Sequence, residues 1–303
     1  MHVPLFLLSL LGAACATIDA PSSRGFATPR ARGEANGPPP APSAAATTPA
    51  SATRGAASQE PAAAKGSWFE RAFATIAADH GAFYDQGSLL GLGAGIGLAA
   101  LSANTQLDRD IYEDVLPEWR TKRADSFRDS VLWLGEGTVM LPTFGAAALL
   151  APMLGSDDVG TWGERSLRAA LVGAPPMLAL QRLTGAGRPD DPANRNSSEW
   201  EPFEFSNGVS GHAFMGAIPF LTAARMQDDP WLDGLLYIAS ATVPAARLQG
   251  SRHYFSQVVL GWWIAFLATG AVDDAAASDT TPGMSFVPIL GADEVGIVVV
   301  HRF

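Results

Sequence analysis

The chain has 303 residues, of which 48% are hydrophobic and only 17% are charged, and its formal net charge is −10. This apolar content is sufficient for one large helical core. The acidic balance and the lack of a long basic run argue against nucleic-acid binding.

The N-terminal part of the chain has the sequence pattern of an export signal followed by a linker. The apolar run Val3 to Ala16 ends in Ala14-Cys15-Ala16, which predicts a signal peptide over residues 1–16. Lipid attachment at Cys15, the only cysteine, is an open alternative. Residues 17–66 are rich in Ala, Pro, Ser and Thr, and this composition predicts a disordered linker.

Residues 67–280 are expected to form the folded domain. The spacing of apolar residues and the helix-start signals predict an all-α domain. The Gly91 to Gly97 run permits close helix packing, and Pro175-Pro176 predicts a kink. Two apolar runs around a turn in residues 281–303 predict a short C-terminal β-hairpin. The predicted helices cover 67–78, 88–103, 107–116, 130–154, 162–184, 211–226, 230–247 and 253–272.

Most apolar runs are shorter than the ~20 residues that a membrane-spanning helix needs. The density of Gly, Ala and Trp nevertheless favours a compact membrane-associated bundle over a soluble one. With the export signal, this predicts a cell-envelope protein whose active site lies on the extracytoplasmic side. A soluble periplasmic protein and one anchored at Cys15 remain alternatives.

Three polar islands interrupt the apolar sequence between Gln181 and Gln257. They are Gly187-Arg188-Pro189, Val209-Ser210-Gly211-His212, and the segment Arg247 to His253. A guanidinium binds phosphate through a planar fork of donors, and the N–H groups at a helix start form an anion site. A histidine at a helix start can present one ring nitrogen to phosphorus while the other is hydrogen-bonded from behind. Together the islands predict a phosphate site.

In order and spacing, these islands resemble the signature of the type 2 phosphatidic acid phosphatase and vanadium haloperoxidase superfamily. That signature is Lys-x₆-Arg-Pro, then Pro-Ser-Gly-His, then Ser-Arg-x₅-His with an Asp four residues later. Arg188-Pro189, Ser210-Gly211-His212 and Arg247 with His253 match it, with Val209 and Ala246 as departures. The resemblance covers roughly residues 89–272 and implies a bundle of about six core helices with the site at one end.

The resemblance also implies roles for individual residues. His253 would be the nucleophile that forms a phosphohistidine, and His212 the general acid. The phosphate-binding groups would be Arg188, Ser210, Gly211 and Arg247.

Two departures alter the ends of this pattern. Gln181 stands at the family lysine position, with Arg182 beside it as a candidate substitute. Gln257 stands at the family aspartate position, and its carbonyl can accept the ring N–H of His253 but cannot add charge. Glu136, inside an apolar run, is either a pocket-facing residue or a polar residue at the edge of its helix.

The sequence thus predicts a metal-independent phosphatase without a cofactor. Its substrate would be a lipid phosphate or pyrophosphate, or another small phosphomonoester. A phosphate- or lipid-binding pseudoenzyme is the main alternative because of Gln181 and Gln257. Vanadium-dependent halide oxidation is the less favoured one.

Overall fold

The computed structural model describes residues 68–189, 192–194, 196–277, 284–290 and 295–301. The predicted signal peptide (1–16), the linker (17–66) and Cys15 lie outside the described residues. The described part is mostly helical, which confirms the all-α class. Its helices are α1 (Trp68–Phe83), α2 (Gln86–Ala103), α3 (Leu107–Asp110), α4 (Leu116–Trp119), α5 (Lys122–Val131), α6 (Gly137–Leu150), α7 (Asp157–Thr184), α8 (Gly211–Arg225), α9 (Pro230–Ser240), α10 (Thr242–Gln249) and α11 (Phe255–Ala277).

Two strands follow the helices. The first, β1 (Met284–Leu290), pairs antiparallel with β2 (Val295–His301). Residues 291–294, which join them, lie outside the described part of the chain. The C-terminal hairpin therefore stays a prediction.

Several predicted helices begin, break or end elsewhere in the structure, and three of these differences lie near the candidate site. The helix expected over 130–154 is divided by a 3₁₀ turn at Leu132–Gly135, and the one expected over 230–247 is divided at Ala241. In the third case His253 precedes its helix, because α11 begins at Phe255. The pair Pro175 and Pro176 lies inside α7, which continues for 28 residues.

Helix α11 forms the core of the bundle. Most of its side chains are buried, and it packs against α8, α7, α2 and α1. Gly261 allows a close approach of α8, since a Cβ there would lie 2.5 Å from the carbonyl oxygen of Ser210. Gly95 of α2 likewise faces the indole of Trp263, where a Cβ would lie only 2.3 Å away. Small residues therefore bring the start of α8 directly against α11.

The outer helices expose large apolar side chains. Leu90 and Leu101 of α2, Leu149 of α6 and Trp231 of α9 are each more than half exposed. By length and composition, α2 and α11 could cross a membrane. This is weak evidence by itself, and the two helices differ, because α11 is buried inside the bundle whereas α2 is largely exposed.

Candidate active site

The first polar island follows the end of α7. Gly185 caps that helix with a φ of 59°, so the chain turns out of the helix before Arg188. The Gly187 N–H then donates to the Ser197 carbonyl over 3.1 Å. This turn holds the backbone beside Arg188 in one place.

The second island opens α8. Ser210 is fully buried and occupies the N-cap position, where its Oγ accepts from the Ala213 N–H over 3.3 Å. The backbone N–H groups in the first turn of a helix have no acceptor within the helix. Gly211 and His212 lie in that turn and carry such groups, so this end of α8 is suited to binding an anion.

The third island places His253 directly before α11, and its orientation is set by Gln257. The Gln257 Oε1 atom lies 3.2 Å from the Tyr254 backbone N–H and 2.8 Å from His253 Nδ1. A backbone N–H can only donate, so the atom facing it must be the amide oxygen. That oxygen can only accept, and Nδ1 of His253 must therefore carry the proton. In the neutral ring, Nε2 is then left with a free lone pair.

Gln257 joins all three islands. Its Nε2 donates to the Gly187 carbonyl over 2.8 Å, and its own backbone carbonyl accepts from the Ser210 N–H over 2.9 Å. The side chain is fully buried, and both of its polar atoms are hydrogen-bonded. A carboxylate could not donate to Gly187, so this contact requires the amide.

Arg188 and Arg247 bring positive charge to the site, and in the described part of the chain each has a hydrogen-bond donor without an acceptor. Within the described residues, the Nε atoms of Arg188 and Arg247 are buried without a hydrogen-bond partner. Burial and the nearby charges of Arg188 and Arg252 lower the pKa of Arg247 to about 10, while the Glu136 carboxylate acts in the opposite direction. Both guanidiniums thus lie close together at a place where an anion would relieve their repulsion.

The environment of His253 keeps its imidazole neutral. Burial, followed by the charge of Arg247, lowers the pKa of His253 to about 3, although the hydrogen bond to Gln257 opposes the shift. The charges of Arg188 and His212 act in the same direction as Arg247. The structure therefore brings four of the predicted site residues within electrostatic reach of one another.

His212 faces a carboxylate. Its Nε2 lies 2.9 Å from Glu136 Oε1, and both side chains are partly exposed. Glu136 precedes α6 and reaches the site across 76 positions of sequence. This contact links the first turn of α8 to the residue that precedes α6.

Arg182 does not take the place of the lysine that the family signature has at position 181. Gln181 lies beside the second island, where its Nε2 donates to the Val209 carbonyl over 2.9 Å. Arg182 is exposed, and its backbone carbonyl accepts from the Phe203 N–H. Arg252 is instead the additional cation whose charge acts on Arg247.

One buried acid near the site was missed from the sequence. Asp108 of α3 is fully buried and accepts hydrogen bonds from the backbone N–H and the hydroxyl of Ser256, over 2.9 and 2.6 Å. Burial raises the pKa of Asp108, and the hydrogen bonds from Ser256 and Ser102 oppose that shift. No sequence motif marks Asp108, since its partner lies 148 residues away.

Among the described residues, no group of three or more His, Cys, Asp or Glu side chains is arranged to hold a metal ion. The expectation of metal-free chemistry stays a prediction.

The family model of the PAP2 superfamily matches residues 167–273. This range includes every residue of the three polar islands and Gln257. No curated protein and no solved structure matches the chain.

Proposed function

Through residues 167–273 the chain belongs to the PAP2 superfamily, which implies phosphatase-type activity, and on this premise we propose a specific reaction. The protein hydrolyses a phosphate or pyrophosphate ester through a phosphohistidine on His253, with His212 as general acid. The observation that carries the proposal is the hydrogen bond from His253 Nδ1 to Gln257, which leaves Nε2 unprotonated within reach of the charges of Arg188 and Arg247.

Phosphate binding comes first. The guanidiniums of Arg188 and Arg247 neutralise the charge on the phosphate oxygens, and their unpartnered Nε atoms are free donors. The Ser210 hydroxyl and the Gly211 N–H bind further oxygens at the start of α8. Phosphoryl transfer depends mainly on such positioning and charge neutralisation, because the transition state spreads its charge over these oxygens.

Attack on phosphorus follows. The Nε2 lone pair of His253 forms a bond to phosphorus while the bond from phosphorus to the leaving oxygen breaks. His212 gives its proton to that oxygen. The ring of His253 gains positive charge in this step, and the Gln257 carbonyl stabilises the Nδ1–H from behind.

Hydrolysis of the intermediate returns the enzyme to its starting state. His212, now neutral, takes a proton from a water molecule whose oxygen attacks phosphorus. The bond from His253 Nε2 to phosphorus breaks, and inorganic phosphate leaves. Glu136 accepts the hydrogen bond from His212 Nε2 and orients that ring in both steps.

The substrate class follows from the surface of the bundle. Large apolar side chains on α2, α6 and α9 are exposed, and contact with lipid would cover them. We therefore favour a lipid phosphate or pyrophosphate as substrate and a membrane-associated protein whose site faces the extracytoplasmic side. A small phosphomonoester is the alternative.

The test uses the full chain purified in detergent with a chelator present. Phosphate release is measured on phosphatidic acid, a prenyl pyrophosphate and an aryl phosphate. The expected result is turnover that His253→Ala abolishes and His80→Ala, on α1, preserves. Phosphate binding without turnover of any of these substrates would instead indicate the pseudoenzyme, and equal rates for His253→Ala and wild type would exclude His253 as the nucleophile.

A further inference from the structure

The first turn of α11 must be held firmly, because His253 precedes it and Gln257 lies within it. Phe255 is the first helical residue, so Tyr254 occupies the cap position. A tyrosine hydroxyl lies too far from the backbone to accept the second N–H of its own helix, as a Ser, Thr or Asp at that position would. The turn needs a cap from elsewhere.

Asp108 provides that cap. Its Oδ1 accepts from the Ser256 backbone N–H over 2.9 Å, and Ser256 contributes the second N–H of the helix. Its Oδ2 accepts from the Ser256 hydroxyl over 2.6 Å, while the Ser102 hydroxyl donates to Oδ1 over 2.7 Å. All three residues are buried, so water does not compete for these contacts. A carboxylate is also favoured at this end of a helix by the helix dipole.

Gln257 completes the arrangement from inside the helix. As the third helical residue, it accepts the Tyr254 N–H with its side chain, which is one half of a capping box. The other half, normally a side chain at the cap position itself, is the carboxylate of Asp108. The two acceptors therefore fix the turn from opposite sides.

We propose that Asp108 is a positioning residue that acts as a remote N-cap of α11 and so holds Gln257 against His253. The link to catalysis rests on the proposed function, whereas the link to ring geometry does not. When the cap is removed, Ser256 keeps an unpartnered buried N–H and the turn loosens. Gln257 then no longer fixes the proton on Nδ1, and part of the His253 population carries it on Nε2, which cannot attack phosphorus.

The phosphate contacts should be less affected. Arg188, Ser210 and Arg247 lie on or beside α7, α8 and α10 rather than on α11. Loss of the cap should thus lower kcat, while KM and inhibition by inorganic phosphate change little.

The experiment compares Asp108→Ala and Asp108→Asn with Asp79→Asn as the matched control. Asp79 is equally buried, but it pairs with Arg168 through bonds of 2.6 and 2.8 Å instead of capping α11. Asparagine at position 108 keeps one acceptor for the Ser256 N–H and serves as the conservative replacement. The readouts are the ¹⁵N shifts of the His253 ring in histidine-labelled protein and kcat per folded molecule.

We expect Asp108→Ala to show mixed tautomers of His253 and a roughly tenfold loss of kcat, with KM within about twofold of wild type. Asp108→Asn should stay within about threefold in kcat and, like Asp79→Asn, keep a single tautomer. A single tautomer and wild-type kcat in Asp108→Ala would overturn the proposal.

A second variant keeps the test decisive if Asp108→Ala does not fold. Ser256→Ala removes only the 2.6 Å bond, and we expect a two- to fivefold loss of kcat, an order-of-magnitude figure for one hydrogen bond, with a detectable second tautomer. Wild-type values in that variant would equally refute the role of the cap. If the wild type releases no phosphate, the ring shifts still decide the question, so failure of the proposed function stays separate.

Discussion

The amide of Gln257 offers the sharpest test of how this site works. Gln257→Leu removes the acceptor for His253 Nδ1–H and Tyr254 N–H, and also the donor to the Gly187 carbonyl. Each buried group left without a partner costs about 1–3 kcal/mol. The free energy of unfolding should therefore fall by roughly 3 kcal/mol or more. Because the proton on the ring is no longer fixed, kcat should fall about 10- to 100-fold.

Gln257→Glu separates charge from hydrogen bonding. The carboxylate keeps both acceptor contacts and adds negative charge behind His253, which gains about 1.5–3 kcal/mol for a charged hydrogen bond. It also places an oxygen 2.8 Å from the Gly187 carbonyl oxygen, and the lost donor costs about 1–3 kcal/mol. These effects nearly cancel, so kcat should stay within about tenfold of wild type. Gln257→Asp is one methylene shorter and cannot span both contacts, so it should be slower than wild type.

The assay is initial-rate phosphate release from acid to neutral pH, with chemical unfolding measured on the same preparations. Wild-type kcat in Gln257→Leu would refute the positioning argument. A gain of about 100-fold or more in Gln257→Asp, equivalent to ~2.7 kcal/mol of barrier, would show that glutamine impairs an otherwise intact site.

Three further predictions follow from the charges of the site. Below pH 6.5 the ring of His253 binds a proton in the unfolded chain but stays neutral in the folded chain, so the free energy of unfolding should fall by up to about 1.4 kcal/mol for each unit that the pH is lowered from 6.5 to about 3. The free energy of unfolding of His253→Gln should depend less steeply on pH in this range, and equal slopes for the two proteins would count against the buried neutral ring. Inorganic phosphate or vanadate at about 100 times its Kd should raise the free energy of unfolding by ~2.7 kcal/mol. Arg188→Ala or Arg247→Ala should remove this effect, and chloride at equal ionic strength should not reproduce it. Glu136→Gln should lower kcat only about two- to fivefold, because the contact between Glu136 and His212 is partly exposed. The matched surface change Glu164→Gln should leave kcat unchanged, and a wild-type rate in Glu136→Gln would exclude a role of Glu136 in the reaction.

The proposed phosphate site could be outlined from the sequence because its parts follow local rules. Gly185 ends α7, Ser210 starts α8, and His253 precedes α11, so each polar island coincides with a helix end. The i,i+4 spacing of His253 and Gln257 also predicted their contact correctly. Such signals can be identified from the sequence because they depend only on the backbone within one helical turn.

Long-range partners could not be predicted in the same way. Asp108 reaches Ser256 across 148 residues, and Glu136 reaches His212 across 76, so no spacing rule links either pair. These two contacts come from packing of the bundle, which tertiary structure decides. The break of the predicted 230–247 helix at Ala241 is different, because the sequence does mark it: Pro244 has no N–H to donate to the Ser240 carbonyl, so it favours the first turn of a new helix.

The most direct test of the account is the identity of the phosphorylated residue. Wild-type protein is mixed with an aryl phosphate, whose leaving group needs little protonation, and is quenched in alkali, where phosphohistidine persists. Mass spectrometry should then find the phosphoryl group on His253, with more of it in His212→Ala, because hydrolysis of the intermediate is slowed. Steady turnover with no adduct on His253 in either protein would contradict the account.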